Sequence, residues 1–331
     1  MKIALTLNTR KSDDESQREF DPPHTIELIK QAIENAGHEY SFIEANENVQ
    51  KNLENFNPDL VFNRAEGLRG ESRESFVPAI LEMLEIPYVG SGPATLAVCL
   101  NKAWAKMIVS ASGVNTSLSH VFLRLQDAEN CDMKFPVILK PNCEGSSIGI
   151  NADNVVYDKA ALLSKLDEMI RTYNQGILVE PFISGREFSV GVIARPNDIE
   201  VLSILEIDFS KMPASVGNVF GLTAKSDYDD LANYLCPAPV DKELELALKR
   251  NTINACKALN IRDFARLDFR VDNSNKVWFL EINPLPGMDY DEATKDFSFY
   301  PLIAMKSGYD YNSLINELIK SCLAHNSSKN K

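Results

Sequence analysis

The run FARLDFRVDNSNKVWFLEINPLPGM, residues 264–288, decides how this chain is read. Leu267, Phe269 and Val271 alternate with Arg266, Asp268 and Arg270, which is the period of a half-buried strand. Asp272 to Lys276 is turn chemistry. Val277 to Asn283 is a second strand with Glu281 and Asn283 on one face. Together they form a β-hairpin with acids and an amide on one surface. If its register brings Asp268 beside Glu281, that surface offers hard oxygen ligands of the kind that hold Mg²⁺ against triphosphate oxygens. The sequence leaves the register open, and a solvated hairpin face with ordinary charges has the same pattern. The strand ends in the turn Pro284-Leu285-Pro286-Gly287, which exposes backbone N–H groups beside an acid and an amide and suits a phosphate or an oxyanion.

Upstream, Phe135–Lys140 is an apolar strand that closes on Lys140 and enters the small-residue loop Asn142–Gly149. Small residues let the backbone approach phosphates, and a lysine supplies a point charge. A plain surface turn has the same composition. Ile177–Ile183 and Arg186–Ile193 read as the strands of a hairpin about Ser184-Gly185. Residues 209–235 are polar and without periodicity, and a loop of that length is usually functional. Nearer the start, strands at Ile3–Leu7, Leu60–Phe62 and Ile86–Val89 alternate with helices. One helix opens at Asp21-Pro22-Pro23 with Asp21 as its N-cap, and another covers Val77–Leu84. This order predicts an α/β beginning with parallel pairing. A further helix runs from about Leu100 to Ser112, and Lys159–Arg171 is amphipathic.

The 331 residues, 44% of them hydrophobic, support two or three structural units. A net charge of -13 repels phosphate backbones, so nucleic acid is not an expected partner. Six cysteines without a CxxC pair read as reduced thiols rather than a zinc ribbon. The N-terminal segment is too short in apolar residues for a signal peptide, and no run reaches the length of a membrane span. A cytoplasmic location without a membrane partner is expected. His24, His38 and His120 have no metal-ligand spacing. Residues 326–331 read as a disordered tail.

Lys140-Pro141, Glu144-Gly145-Ser146-Ser147-Ile148-Gly149, Ser184-Gly185-Arg186-Glu187-Phe188, Arg266-Leu267-Asp268 and Leu280-Glu281-Ile282-Asn283 with Pro286-Gly287-Met288 follow one another in an order that resembles the D-alanine–D-alanine ligase family of ATP-grasp enzymes. The spacing holds from about Asp59 to Met288. The resemblance implies an α/β (α+β) ATP-grasp fold. It implies a Rossmann-like N-terminal domain over residues 1–98, a central lid domain over 99–185, and a C-terminal domain over 186–325 with the metal and catalytic residues. It implies ATP and two Mg²⁺ ions, or Mn²⁺, as cofactors, small amino-acid or peptide substrates, and a homodimer. Lys102 and Lys140 match lysines on the ATP phosphates, and Lys225 a lysine near the γ-phosphate. Glu180, Ile183 and Glu187 match contacts to the adenine amino group, the adenine and the ribose. Ser147 would cover the phosphates and Ser146 orient the first substrate. Asp268, Glu281 and Asn283 match the magnesium ligands. Arg266 and the Gly287 N–H match the stabilisers of a tetrahedral oxyanion. The implied activity is an ATP-dependent carboxylate–amine ligation through an acyl phosphate.

The substrate side departs from the family pattern. Where the family places a glutamate that holds the first amine, this chain has Glu19-Phe20-Asp21, and either acid could take that role. The family's His-Gly is replaced by Asn63-Arg64-Ala65-Glu66, and Ser226 stands where a tyrosine is expected. Asp289, Asp291 and Glu292 stand where a serine-containing turn binds the acceptor's carboxylate. Acids repel a carboxylate, so the expected acceptor is basic, amidated or larger than alanine. An authentic D-alanine–D-alanine ligase with a differently built pocket is the alternative. Two remote readings belong to other classes. Gly145-Ser146-Ser147-Ile148-Gly149 fits a G-x-S-x-G hydrolase elbow, for which only His325 follows as base. A non-catalytic nucleotide-binding protein would not need Lys140, Asp268, Glu281 and Asn283 together.

Overall fold

Lys2–Leu7 (β1), Glu39–Glu44 (β2), Leu60–Arg64 (β3) and Tyr88–Val89 (β4) make a parallel sheet in the order β2-β1-β3-β4. β1 and β3 are buried along nearly their whole length, as parallel strands covered on both faces must be. The computed structural model describes residues 1–12, 14–129, 131–228, 230–291 and 296–329. His120–Phe122 (β5), Val137–Pro141 (β6), Val155–Val156 (β7) and Ile177–Pro181 (β8) form an antiparallel sheet ordered β5-β8-β6-β7. Arg186–Arg195 (β9), Asp198–Ile207 (β10), Tyr234–Leu235 (β11), Asp263–Val271 (β12) and Val277–Asn283 (β13) form the third sheet, antiparallel and ordered β11-β10-β9-β12-β13.

One apolar core joins the first and third sheets. Ile3, Leu5 and Phe62 share it with Ile193, Phe264 and Tyr300. Phe264 on β12 stands between the Phe62 ring, 6.5 Å away, and the Tyr300 ring, 5.8 Å away. Helix Tyr311–Lys329 packs against helix Pro23–Asn35 over this junction. The middle sheet has its own core of Phe122, Leu139, Leu162, Leu166 and Val179.

Several sequence expectations are corrected here. The hairpin at Ser184-Gly185 does not form, because β8 and β9 belong to different sheets. Gly185 carries the chain across with φ at 141°, and a Cβ there would lie 2.0 Å from the Val271 carbonyl oxygen. Asp21 does not cap its helix: Pro22 is the N-cap residue, and the Asp21 carboxylate turns to Arg64. The helix expected from about Leu100 to Ser112 is found as Lys102–Ala111, with Asn101 as its N-cap accepting the Trp104 N–H at 3.0 Å, and a separate helix, Pro93–Leu100, precedes it. Residues 209–235 hold short elements, including helix Leu222–Asp227, which carries Lys225. Of the expected tail, residues 326–329 continue the last helix and residues 330–331 lie outside the described residues. β2, β10 and helices Val49–Phe56 and Lys242–Ala258 had not been read from the sequence. Among the described residues no helix is long and apolar enough to cross a membrane.

Gly185→Ala adds a left-handed strain to a backbone clash. It is expected to cost about 2–4 kcal/mol of unfolding free energy, measured by urea denaturation; an unchanged midpoint would contradict the close crossing.

Candidate active site

β9, β12 and β13 lie side by side in a register that builds the site in rows. Glu187 stands opposite Arg270, Ser189 opposite Asp268, and Asp268 opposite Glu281. A bulge between Asp268 and Phe269 absorbs Leu280 on β13 and ends the simple pairing there. Asp268 accepts from Ser189 Oγ at 2.5 Å and from Arg266 Nε and Nη2 at 3.1 and 2.9 Å. Arg266 also stands 5.8 Å over the Phe299 ring. Arg270 grips Glu187 at 2.6 Å and donates to the Ile183 carbonyl at 3.0 Å. The neighbouring Arg186 reaches Glu206 at 2.6 Å.

Lysines come from two elements. Helix Lys102–Ala111 presents Lys102 and, one turn on, Lys106. Lys102 Nζ donates to the Glu144 carbonyl and lies 3.6 Å from Glu281 Oε2. Burial pushes the Glu281 carboxyl up, but Lys102, Lys140, Arg266 and Lys225 outweigh it and hold the group below its usual range. Lys106 and Lys140 close on Glu180 at 2.8 and 2.9 Å, and Ser117 Oγ donates to the same carboxylate. Burial opposes the charge on Glu180, yet the two ammoniums draw its pKa down to about 2. The Glu180 carboxylate, expected at an adenine amino group, is thus turned to two lysines and a serine. Lys106 was missed, although its i,i+4 spacing from Lys102 was readable.

Two cavities adjoin at this sheet. The narrower, about 70 Å³, is lined by Ile138, Ile150, Phe182, Ile183, Val219 and Leu280 with Lys140, Ser147, Glu180, Glu187 and Asp268. The wider, about 540 Å³, is lined by Lys102, Ser146, Asn283, Gly287, Asp289 and the N-terminal acids. Lys225, Arg266 and Glu281 line both. Burial, reinforced by Arg266, lowers the Lys225 ammonium to about 8 against the pull of Glu281 and Asp268. Its Nζ lies 5.5 Å over the Phe220 ring. Ser146 and Ser147 both have positive φ, and Ser147 Oγ donates to the Phe220 carbonyl at 3.0 Å, so the small-residue loop is tied to the segment carrying Lys225.

The turn after β13 is held from outside. Asn283 Oδ1 accepts the Leu285 N–H at 2.8 Å. Buried Arg64 donates to the Pro286 carbonyl at 2.6 Å and to Asp21 at 2.9 Å. A planar peptide points its C=O and N–H in opposite directions, so Arg64 sets the aim of the Gly287 N–H. A Cβ at Gly287 would meet Ser298 Oγ at 2.4 Å. Arg64 was quoted in the sequence only as part of a departure from the family pattern.

The substrate-side residues divide. Glu19 reaches the wider cavity but is paired with Arg73 at 2.6 Å and accepts the Gly145 N–H at 2.7 Å. Asp21 is likewise neutralised by Arg64. Asp289 accepts from Thr25 and Ser298 and lies 3.8 Å from His24 Nε2. Asn63 is a correction: it lies inside the first sheet, accepting from Thr6 Oγ1 at 2.9 Å, and lines neither cavity. Glu292 lies outside the described residues. His325 is on the last helix, 3.0 Å from the Ala194 carbonyl and 3.8 Å from Asp263, and it does not share a cavity with Ser146. His325 therefore does not serve Ser146 as the base of a serine elbow.

Among the described residues no group of three or more His, Cys, Asp or Glu side chains gathers as a metal site. Ionised Glu281 beside Asp268, with the Asn283 amide nearby, fits a Mg²⁺ ion held by one or two carboxylates and completed by phosphate oxygens.

Glu180→Gln leaves two buried ammoniums without their counter-ion and is expected to cost about 3–5 kcal/mol. Because the folded pKa is depressed, the Glu180 contribution is complete above the ordinary carboxyl value of 4.5 and is lost as pH falls toward about 2. Chemical denaturation across that window should show the loss in the parent chain and not in the variant.

A family model described as the D-ala D-ala ligase C-terminus matches residues 110–320. The uncharacterized protein y4sG of Sinorhizobium fredii is 33% identical over 298 residues, 87% of this chain and 84% of its own length. A D-alanine–D-alanine ligase of Aquifex aeolicus is 30% identical over 325 residues, 96% of this chain and 100% of its own. The crystal structure of the D-alanine–D-alanine ligase from Bacillus anthracis complexed with ATP superimposes with a TM-score of 0.74 at 21% identity, covering 99% of this chain and 100% of that one. With the family model spanning more than half the chain and a relative matched along its full length, this chain belongs to the D-alanine–D-alanine ligase family and has its ATP-grasp fold.

Proposed function

We propose that the chain is an ATP-dependent carboxylate–amine ligase that forms an amide bond through an acyl phosphate and releases ADP and phosphate. The observation that carries this reading is the shared wall: Lys225, Arg266 and Glu281 face both cavities. A nucleotide in the narrow cavity would direct its γ-phosphate at that wall, and an amino acid in the wide cavity would present its carboxylate from the other side. The apolar lining suits a base, and Lys140 beside it a phosphate.

Asp268 and Glu281, with Asn283, would hold Mg²⁺, which when bound neutralises the triphosphate and polarises the transferred phosphoryl group. The chain's own residues do the rest. Lys102, Lys140 and Lys225 offset phosphate charge and align the γ-phosphoryl group with the donor carboxylate. A carboxylate oxygen bonds to the γ-phosphorus as ADP leaves. The neutral acceptor amine then attacks the acyl carbonyl, Arg266 and the Gly287 N–H stabilise the oxyanion, and inorganic phosphate and the amine's proton depart. The loop carrying Ser146 and Ser147 and the segment carrying Lys225 exclude water that would hydrolyse the acyl phosphate.

Asp289 on the wall of the wide cavity disfavours a second carboxylate, so the acceptor differs from D-alanine and is basic, amidated or larger. The names borne by the Aquifex and Bacillus relatives favour the second reading, in which both substrates are D-alanine. Phosphate release from Mg-ATP with D- and L-amino acids, singly and in pairs, with mass spectrometry of the products, separates the two. Product from D-alanine alone supports the second; product only from another pair supports the first; no ATP-dependent product from any pair contradicts both. With the active pair, Arg266→Ala is expected to lower kcat by about 10²–10³-fold.

A further inference from the structure

We infer that Glu66 and Glu74 form a receptor for a substrate ammonium group at the N-terminal end of the wide cavity. Both line that cavity, and they are only 6% and 5% exposed. Buried carboxylates ordinarily have donors, yet no hydrogen bond reaches either of these among the described residues, and Glu74 Oε2 is fully enclosed without a partner. Arg64 acts on both through the field, and Arg73 and Lys102 on Glu74, but none donates to either carboxyl, and burial with the neighbouring acids outweighs their pull. Among the neighbouring acids, Glu19 is matched by Arg73 and Asp21 by Arg64. Arg73 also donates to the Cys143 carbonyl and Glu144, and Arg64 to the Pro286 carbonyl, while the buried Arg64 Nε donates to neither acid and has no partner. Lys102 is turned to the Glu144 carbonyl and Glu281. Burial raises the Glu74 carboxyl to about 8, with Glu19 adding, and lifts the Glu66 carboxyl well above its usual range, with Glu74 adding.

An ammonium has three donors and a positive charge that favours the ionised form, which answers two enclosed acids without a donor. The expected anchoring of an amine by Glu19 or Asp21 is therefore moved to Glu66 and Glu74, the acids left without partners. This deepens the proposed function, on which it rests for the identity of the cavity as an amino-acid site. The ammonium could be the α-amino group of an amino acid or the side-chain amine of a diamino acid.

Calorimetric titration of the full chain with ornithine, norvaline and pentanoate, each amino acid in D and L forms, tests the assignment. If the α-ammonium is held, norvaline binds, pentanoate does not, and Glu66→Gln or Glu74→Gln weakens norvaline and ornithine alike by about tenfold or more. If the side-chain amine is held, ornithine binds tighter than norvaline by the same margin and the variants erase that difference. Both glutamines keep the side-chain volume, and thermal unfolding verifies that the variants fold. Ammonium ligands whose affinities are unmoved in both variants, or that fail to bind the parent chain, would overturn the assignment. Mg·AMP-PNP titrated in parallel separates the two proposals: its failure to bind the parent chain would sink the ligase reading while leaving the ammonium result standing.

Discussion

The register that sets Asp268 on β12 across from Glu281 on β13 is the constraint on which the rest of the site depends. A strand pair shifted by one residue would send one of the two carboxylates to the opposite face of the sheet. Phe264, Leu267 and Phe269 on the same strand are buried, so slippage would also expose core residues and is resisted by packing. With the register held, Arg266 falls within reach of Asp268, and Ser189 of β9 arrives beside it without any loop having to place it. The acids stand on a rigid sheet, while the loop and short helix opposite them carry Ser147 and Lys225.

Charge is segregated along the two cavities. At the sheet end Lys102, Lys106, Lys140, Lys225 and Arg266 surround Glu180, Asp268 and Glu281, which gives local positive excess in a chain of net charge -13. At the far end Asp14, Glu19, Asp21, Glu66, Glu74 and Glu144 outnumber Arg10, Arg18, Arg64 and Arg73. On the proposed reading, the first end receives phosphates and the second an ammonium. An amino acid lying between them would point its carboxylate toward the lysines. Arg64 ties the two ends together, since one guanidinium holds both Asp21 and the carbonyl that orients the Gly287 N–H.

Periodicity made much of the third sheet legible. The alternation in β12 and β13 located Asp268 and Glu281, and the apolar run before Lys140 located β6. The register was not legible, because it is fixed by the bulge at Leu280 and by core contacts distant in sequence. The Ser184-Gly185 hairpin was misread because a turn sequence reports a change of direction and not which sheet receives the next strand. Asn63 was misplaced because aligning a polar residue with a family motif does not show which face of a buried strand it occupies. Arg64 and Glu66 were legible only as a departure from the family pattern, and Arg73 and Glu74 not at all, because which acids are paired and which are left without a donor is decided by contacts across 40 or more residues, as Arg64 with Asp21 and Arg73 with Glu19 show. Glu180 was identified, but its partner Lys106 was not, so the direction of its carboxylate went unread.

The central claim is that an oxygen of the donor carboxylate attacks the γ-phosphorus of ATP, rather than the α-phosphorus, and that water does not take its place. Incubating the chain with Mg-ATP and a donor amino acid labelled with ¹⁸O in its carboxylate, together with the active acceptor, follows that oxygen by mass spectrometry. Acyl-phosphate chemistry moves one labelled oxygen into inorganic phosphate for each amide bond formed. Label appearing in AMP, or phosphate released without label as product accumulates, would contradict the account.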